Sequence, residues 1–191
     1  MEFTVTLPSW LQPEIQSLPT SMPDVASRME AVIRFSRLNF QHDTGGPFAA
    51  AVFEEETGMP IAVGVNRVVP LHCSSAHAEV VALSLAQKKL GSFDLGGKDM
   101  PRYQLVVNWR PCAMCYGAVI WSGIRSLVIA GSDDQLEQIT GFDEGPIHPE
   151  WRQELAKRNI ALTDGVLKQQ ACDVFRAFRA SGGVVYNGRR G

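Results

Sequence analysis

His77-Ala78-Glu79 and, further along, Pro111-Cys112-Ala113-Met114-Cys115 are the stretches around which the rest of the chain falls into place. A neutral imidazole and two thiolates are the ligand set of a tetrahedral zinc site with one position left open. The carboxylate of Glu79, two residues after His77, is what a metal-bound water needs as a proton acceptor. Cys112 and Cys115 stand three apart at the start of an apolar run, so a helix beginning there turns both thiols towards one ion. The positive end of such a helix favours thiolates. His77 and Glu79 fall in the first turn of another helix. Their two-residue offset points them apart, one to bind the metal and the other to reach past it.

Outward from these two helices, the pattern alternates. Pro47 to Phe53 is a short apolar run, read as a strand buried on both faces. Glu54 to Gly58 is a turn, and Ile61 to Val68 is a second strand, so the pair forms an antiparallel hairpin with Asn66 near its end. A loop over Leu71 to Ser75 leads to the first metal stretch. Ala76 to Leu90 is a helix ended by Gly91. Tyr103 to Asn108 is a strand, Cys112 to Ser122 a helix so apolar that it should be buried on most sides, and Ile124 to Ala130 a strand. Hairpin, helix, strand, helix, strand requires crossovers, hence a sheet with parallel neighbours between helical layers. The expected class is α/β, a three-layer α-β-α fold with a central mixed sheet of about five strands.

The flanks are simpler. Residues 1–22 hold four of their own or bordering prolines, at Pro8, Pro13, Pro19 and Pro23, and read as an irregular lead-in along the surface. Asp24 is a plausible N-cap for a helix whose Met29, Val32, Ile33, Phe35 and Leu38 recur at three- and four-residue spacing and which ends before Gly45-Gly46. Asp133 to Gln138 is a helical turn or two, and Ile139 to Pro146 a loop rich in acids and aromatics. Helices over Pro149–Asn159 and Val166–Ala180 flank a short strand at Ile160–Thr163, and Ser181–Gly191 is a tail. The division expected is a lead-in over 1–23, a zinc-binding core over 24–145, and a helical segment of the same domain over 146–191.

Composition bounds the function. The 191 residues are 45% hydrophobic and 20% charged, enough for one domain with a real core. With 18 basic and 20 acidic side chains the formal charge is -2, so nucleic acid is not the electrostatically favoured partner. No apolar run is long enough to span a bilayer, and the first ten residues do not read as a signal peptide. Two of the four cysteines sit beside a proline at metal-ligand spacing, which suits a reducing cytoplasm better than a disulfide. A structural zinc knot is the bland alternative, with Cys73, four residues before His77, as its fourth ligand. Otherwise Cys73 and Cys172 are small apolar fillers, and His42, His72 and His148 are ordinary loop histidines.

His-x-Glu with Pro-Cys-x-x-Cys is the signature of zinc nucleobase deaminases. Together with Gly-Pro-Phe-Ala-Ala-Ala-Val at the first strand, it resembles the cytidine deaminase superfamily. Gly141-Phe142-Asp143-Glu144 resembles the guanine deaminase branch, closest to bacterial members that also accept ammeline-like triazines. The likeness runs from about residue 25 to the C-terminus. It implies zinc held by His77, Cys112 and Cys115, with zinc-bound hydroxide as the nucleophile. Glu79 is then the proton shuttle between water, ring nitrogen and departing amine, in hydrolysis of guanine to xanthine and ammonia. It implies that Asn66 hydrogen-bonds the base, that Glu144 is a second catalytic acid on the 2-amino side, and that Phe142 closes over the ligand. Phe48 matches an aromatic wall, Ala78 and Trp121 are placed at the same pocket, and Tyr186 is similar to a tail tyrosine given by a partner subunit in domain-swapped members. The bland alternatives are a turn-capping Asn66, a plain core Phe48 and a solvated Glu144. A homodimer is expected, and the segment after Gly145-Pro146-Ile147-His148-Pro149 is the candidate for exchange between subunits. One position departs: the family usually has an acid before the proline, and this chain has Arg110. The alternatives are a tRNA adenosine deaminase, another nucleobase or nucleoside deaminase, and a non-catalytic zinc module.

Overall fold

A computed structural model describes residues 4–188; the first three residues of the lead-in and the last three of the tail fall outside it. The elements run α1 (Leu11–Gln16), α2 (Val25–Gln41), β1 (Ala49–Glu54), β2 (Pro60–Val65), α3 (Val68–Leu71), α4 (Ala78–Leu90), β3 (Tyr103–Val107), α5 (Ala113–Trp121), β4 (Ser126–Ile129), α6 (Gln135–Thr140), α7 (Trp151–Lys157), β5 (Ala161–Asp164) and α8 (Lys168–Ala180). The five strands form one sheet in the order β2-β1-β3-β4-β5. β1 pairs antiparallel with both β2 and β3, while β3, β4 and β5 run parallel. The expected mixed sheet and its five strands are therefore present.

Two cores explain the three layers. On β1, Ala49, Ala51 and Phe53 face a core shared with α2 and α8, through residues such as Met29, Phe35, Val174 and Phe175. Ala50 and Val52, pointing the other way, meet α4 and α5 through Ala78, Ala82 and Val119. Alternation along a strand sends successive side chains to opposite faces, so a strand buried on both sides must be apolar throughout. Ala49–Phe53 meets that demand.

Gly64 decides how closely the second layer approaches. A Cβ on Gly64 would lie 2.3 Å from the Ala78 carbonyl oxygen and 2.5 Å from the Ala82 nitrogen. Only a glycine lets the first turn of α4, which carries Glu79, sit directly on β2.

Several local expectations shift. Asp24 caps α2 as read, its Oδ2 accepting from Ser27 N at 3.0 Å, and Gly91 ends α4 in the left-handed region. The lead-in is not irregular throughout, because it forms α1 and drives Leu11 into the core. The loop before His77 begins with a helical turn, α3. The largest difference is α5. Only Cys115 and Val119 of that apolar helix are buried, and Met114 and Trp121 are 41% and 86% exposed. The helix covers the sheet with the face that carries Cys115 and Val119, and Tyr116 reaches the start of α7 through the Trp151 carbonyl at 3.2 Å. The segment after Gly145 adds β5 beside β4 and places Leu155 in the second core. Among the described residues no helix is long and apolar enough to cross a membrane.

Candidate active site

His77 is the N-cap of α4 and Cys112 the N-cap of α5. Two helix starts thus converge, one carrying the imidazole and Glu79, the other both thiols. The ligand atoms of His77, Cys112 and Cys115 all lie within 4.8 Å of one another, and Cys112 Sγ is 3.5 Å from His77 Nδ1. Zinc bonds of about 2.3 Å to sulfur and 2.0 Å to nitrogen place tetrahedral ligands roughly 3.4–3.8 Å apart, so the donor set fits that ion. Cys73 is not part of the cluster. Its sulfur faces the Ser75 hydroxyl at 3.2 Å, and among the described residues no fourth ligand joins the three.

The electrostatics support the same assignment. Hydrogen bonding from Cys115 holds the Cys112 thiol down at about 4 against burial, with His77 adding to it. Cys115 goes the other way, pushed up by that shared hydrogen bond and by burial. Burial draws His77 down, but the Cys112 hydrogen bond and the charges of Glu79, Cys112 and Glu144 outweigh it, and its pKa rises. Glu79, 6% exposed, is pushed up by burial and then by Cys112. Burial, followed by the charges of Cys112, Glu79 and Glu137, raises Glu144 to about 8. Two acids and two thiols crowded into one poorly solvated place repel one another. A divalent cation relieves that repulsion.

The cluster opens into a cavity of about 340 Å³, the size of a small-molecule site. Gly46, Phe48, Asn66, Phe142 and Glu144 line it with His77 and Glu79. Phe48 and Phe142 meet edge to face at 5.1 Å, and Phe142 stacks on Phe178 at 5.8 Å. Asn66 stands just past β2. Its Oδ1 lies 3.4 Å from Gly46 N and 3.3 Å from Val68 N, so backbone donors engage the oxygen and leave the amide hydrogens to a ligand. The Glu144 loop is tied to the metal helix where Ala113 N donates to the Glu144 carbonyl at 3.0 Å.

Of three further expected positions, two lie outside the cavity wall and one lies in it. Trp121, at the far end of α5 and almost wholly exposed, does not line the cavity. Ala78 is buried against Gly64 and is not in the wall either. Tyr186 does line it: the tail after α8 reaches back across the opening. Arg110 is also in the wall. It donates to the Ser132 carbonyl at 2.9 Å and pairs with Glu137 at 3.3 Å, so a positive charge here has its acid on α6.

Two participants escaped the sequence reading. Asn187 accepts from Asp143 N at 2.8 Å and donates to the Gly141 carbonyl at 2.9 Å, clasping the loop that holds Phe142. An asparagine set in a glycine-bearing tail is a local backbone-pairing signal that could have flagged it. Trp109, buried beside the motif, is in the wall with its Nε1 unpaired.

Residues 25–131 match the family described as cytidine and deoxycytidylate deaminase zinc-binding region. The chain belongs to this family. It is accordingly a zinc-dependent deaminase with a cytidine deaminase-like fold. Among curated relatives, the guanine deaminase of Bacillus subtilis is 32% identical over 71% of this chain and 81% of its own. A tRNA-specific adenosine deaminase of Haemophilus influenzae is 32% identical over 67% and 68%. Among solved structures, guanine deaminase from Nitrosomonas europaea is 46% identical, covers 94% of this chain and 97% of that one, and gives a TM-score of 0.88. A complex with 2,6-diaminopurine is 48% identical over 97% of both chains, also at 0.88.

Proposed function

We propose that this deaminase hydrolyses guanine to xanthine and ammonia. The observation that carries the reading is the pairing of two acids, buried Glu79 and half-buried Glu144, in one aromatic-walled cavity around one three-ligand metal cluster. A single shuttle serves any member of the family, whereas a second acid suits a substrate whose amidine edge offers several N–H groups. Likeness to the guanine deaminases, and to a complex with a diaminopurine, supports it.

Zinc held by His77, Cys112 and Cys115 would supply the Lewis acidity that makes water nucleophilic near neutral pH. Glu79 accepts one proton of that water and passes it to the ring nitrogen beside the attacked carbon. It then passes the second to the amine, which leaves as ammonia while the carbonyl of xanthine forms. Glu144 accepts from the N–H groups beside the reacting carbon. Asn66 donates through its free amide hydrogens to an acceptor on the base, and the edge-to-face pair Phe48 and Phe142 gives the ring an apolar wall. Ammeline-like triazines, with the same amidine unit in a smaller ring, are a secondary substrate class.

A homodimer is part of this proposal, supported by the uncovered apolar face of α5 with Met114 and Trp121. We also assign the chain to the cytoplasm, supported by four unpaired cysteines. Incubation of the zinc-loaded protein with guanine should release xanthine and ammonia in equal amounts. Turnover of a tRNA adenosine in its place, with guanine untouched, would overturn the proposal.

A further inference from the structure

Asn39 lies on α2, behind the cavity wall, and is wholly buried. Its Nδ2 donates to two backbone carbonyls from different segments, Gly46 O at 2.8 Å and Asn66 O at 2.9 Å. Both residues line the cavity. Between them runs Gly45, at φ +151°, where a Cβ would lie 1.9 Å from the Asn66 oxygen and 2.7 Å from Asn39 Nδ2. Only glycine passes there, so the chain is drawn hard against this one amide.

The other end of Asn39 is braced as well. Its Oδ1 lies 2.9 Å from the Thr44 hydroxyl, which accepts from Trp10 Nε1 at 2.9 Å. Trp10 in turn stacks on His42, with ring centres 5.6 Å apart. Next to Asn66, the Arg67 guanidinium donates to the carbonyls of Thr6 and Thr44. The lead-in is thus wired to the loop that faces the base.

We propose that Asn39 is a positioning residue for Asn66. It fixes where the base-holding amide stands by clamping the carbonyl of Asn66 and that of Gly46, whose N–H lies against the Asn66 side chain. Thr44 and Trp10 hold Asn39 in turn. A fully buried amide is costly unless every group is paired, and here both of its ends are. The inference rests on the reading above that Asn66 holds the substrate.

The test is a double-mutant cycle on the full zinc-loaded chain. Asn39→Asp keeps the shape but turns the donor into an oxygen facing two carbonyls. Loss of two buried hydrogen bonds corresponds to roughly a 5- to 100-fold fall in kcat/KM for guanine, carried mainly by KM, with zinc content unchanged. In an Asn66→Ala background the same change should cost nothing further, because nothing is left to position. Additive losses overturn the inference, as does an Asn66→Ala variant with full turnover. If Asn39→Asp does not fold, Trp10→Phe keeps the ring on His42 and removes only the donation to Thr44. It should raise KM roughly 2- to 5-fold, again only where Asn66 is present. A parent that leaves guanine untouched sinks the guanine reading alone. Hydrogen exchange at the Gly46 and Val68 amides then decides: faster exchange in Trp10→Phe supports the brace, and unchanged exchange refutes it.

Discussion

Glu144→Gln should trade activity for stability, in amounts that pH and metal can separate. The carboxyl of Glu144 titrates at about 8 in the metal-free chain against an ordinary 4.5, first because of burial and then because of Cys112, Glu79 and Glu137. A folded-state pKa above the unfolded one means the native state binds the extra proton. Stability from this group is therefore whole below pH 4.5 and is lost as pH rises to about 8. At pH 7 the loss approaches about 3 kcal/mol, since roughly 2.5 pH units lie above the unfolded value at about 1.4 kcal/mol each. Glutamine cannot ionise and escapes it. Urea unfolding of chelator-treated parent and variant should thus show the variant's relative stability growing by about 1.4 kcal/mol per pH unit between pH 5 and 8, then levelling. Taking the difference removes the opposite slope of Cys112, whose low pKa stabilises the fold as pH rises. With zinc bound the cation holds Glu144 ionised, and the variant's advantage should vanish while kcat/KM for guanine falls about 100-fold or more. Parallel unfolding of parent and variant from pH 5 to 8 would refute the reasoning, for it would take Glu144 out of the buried cluster.

Glu79→Gln should keep its zinc, measured by metal analysis, and lose about 1,000-fold or more in kcat, since both proton transfers depend on this one carboxylate. Cys115→Ser should lose the metal and with it the activity, whereas Cys73→Ser should change neither. Trp121→Ser should leave guanine turnover per zinc intact and lower the mass seen by light scattering from dimer towards monomer at micromolar concentration. Arg110→Ala should lower stability by about 1–3 kcal/mol in thermal unfolding, because Glu137 is left in its partly buried place without its cation.

How much of this was open to a reader of the sequence depends on the distance over which each residue acts. His77, Glu79, Cys112 and Cys115 were legible because helix geometry and thiolate chemistry operate within one turn, and the structure brings them together at two helix starts. The mixed sheet was legible because hairpin and crossover rules follow from element order. α5 misled because apolar composition does not by itself bury a face: Met114 and Trp121 stand exposed on it. Arg110 was opaque for a related reason: its meaning lies in Glu137, on a helix whose contact with the motif no spacing rule foretells. Trp121 and Tyr186 are the instructive pair. One sits on the metal helix and yet points away from the cavity, and the other is far off in the tail and yet walls it. Nearness along the chain assigned the first and family habit the second, while burial and reach decided both. Asn39 carries the point furthest. Its sequence neighbourhood is that of any amphipathic helix, and only the meeting of Gly46 and Asn66 at its side chain gives it work. Ligands and shuttles are therefore encoded locally, where chemistry needs a particular atom, but the precision of their placement is encoded at a distance. It follows that substitutions in the lead-in, far from the zinc, should act on KM before they act on kcat.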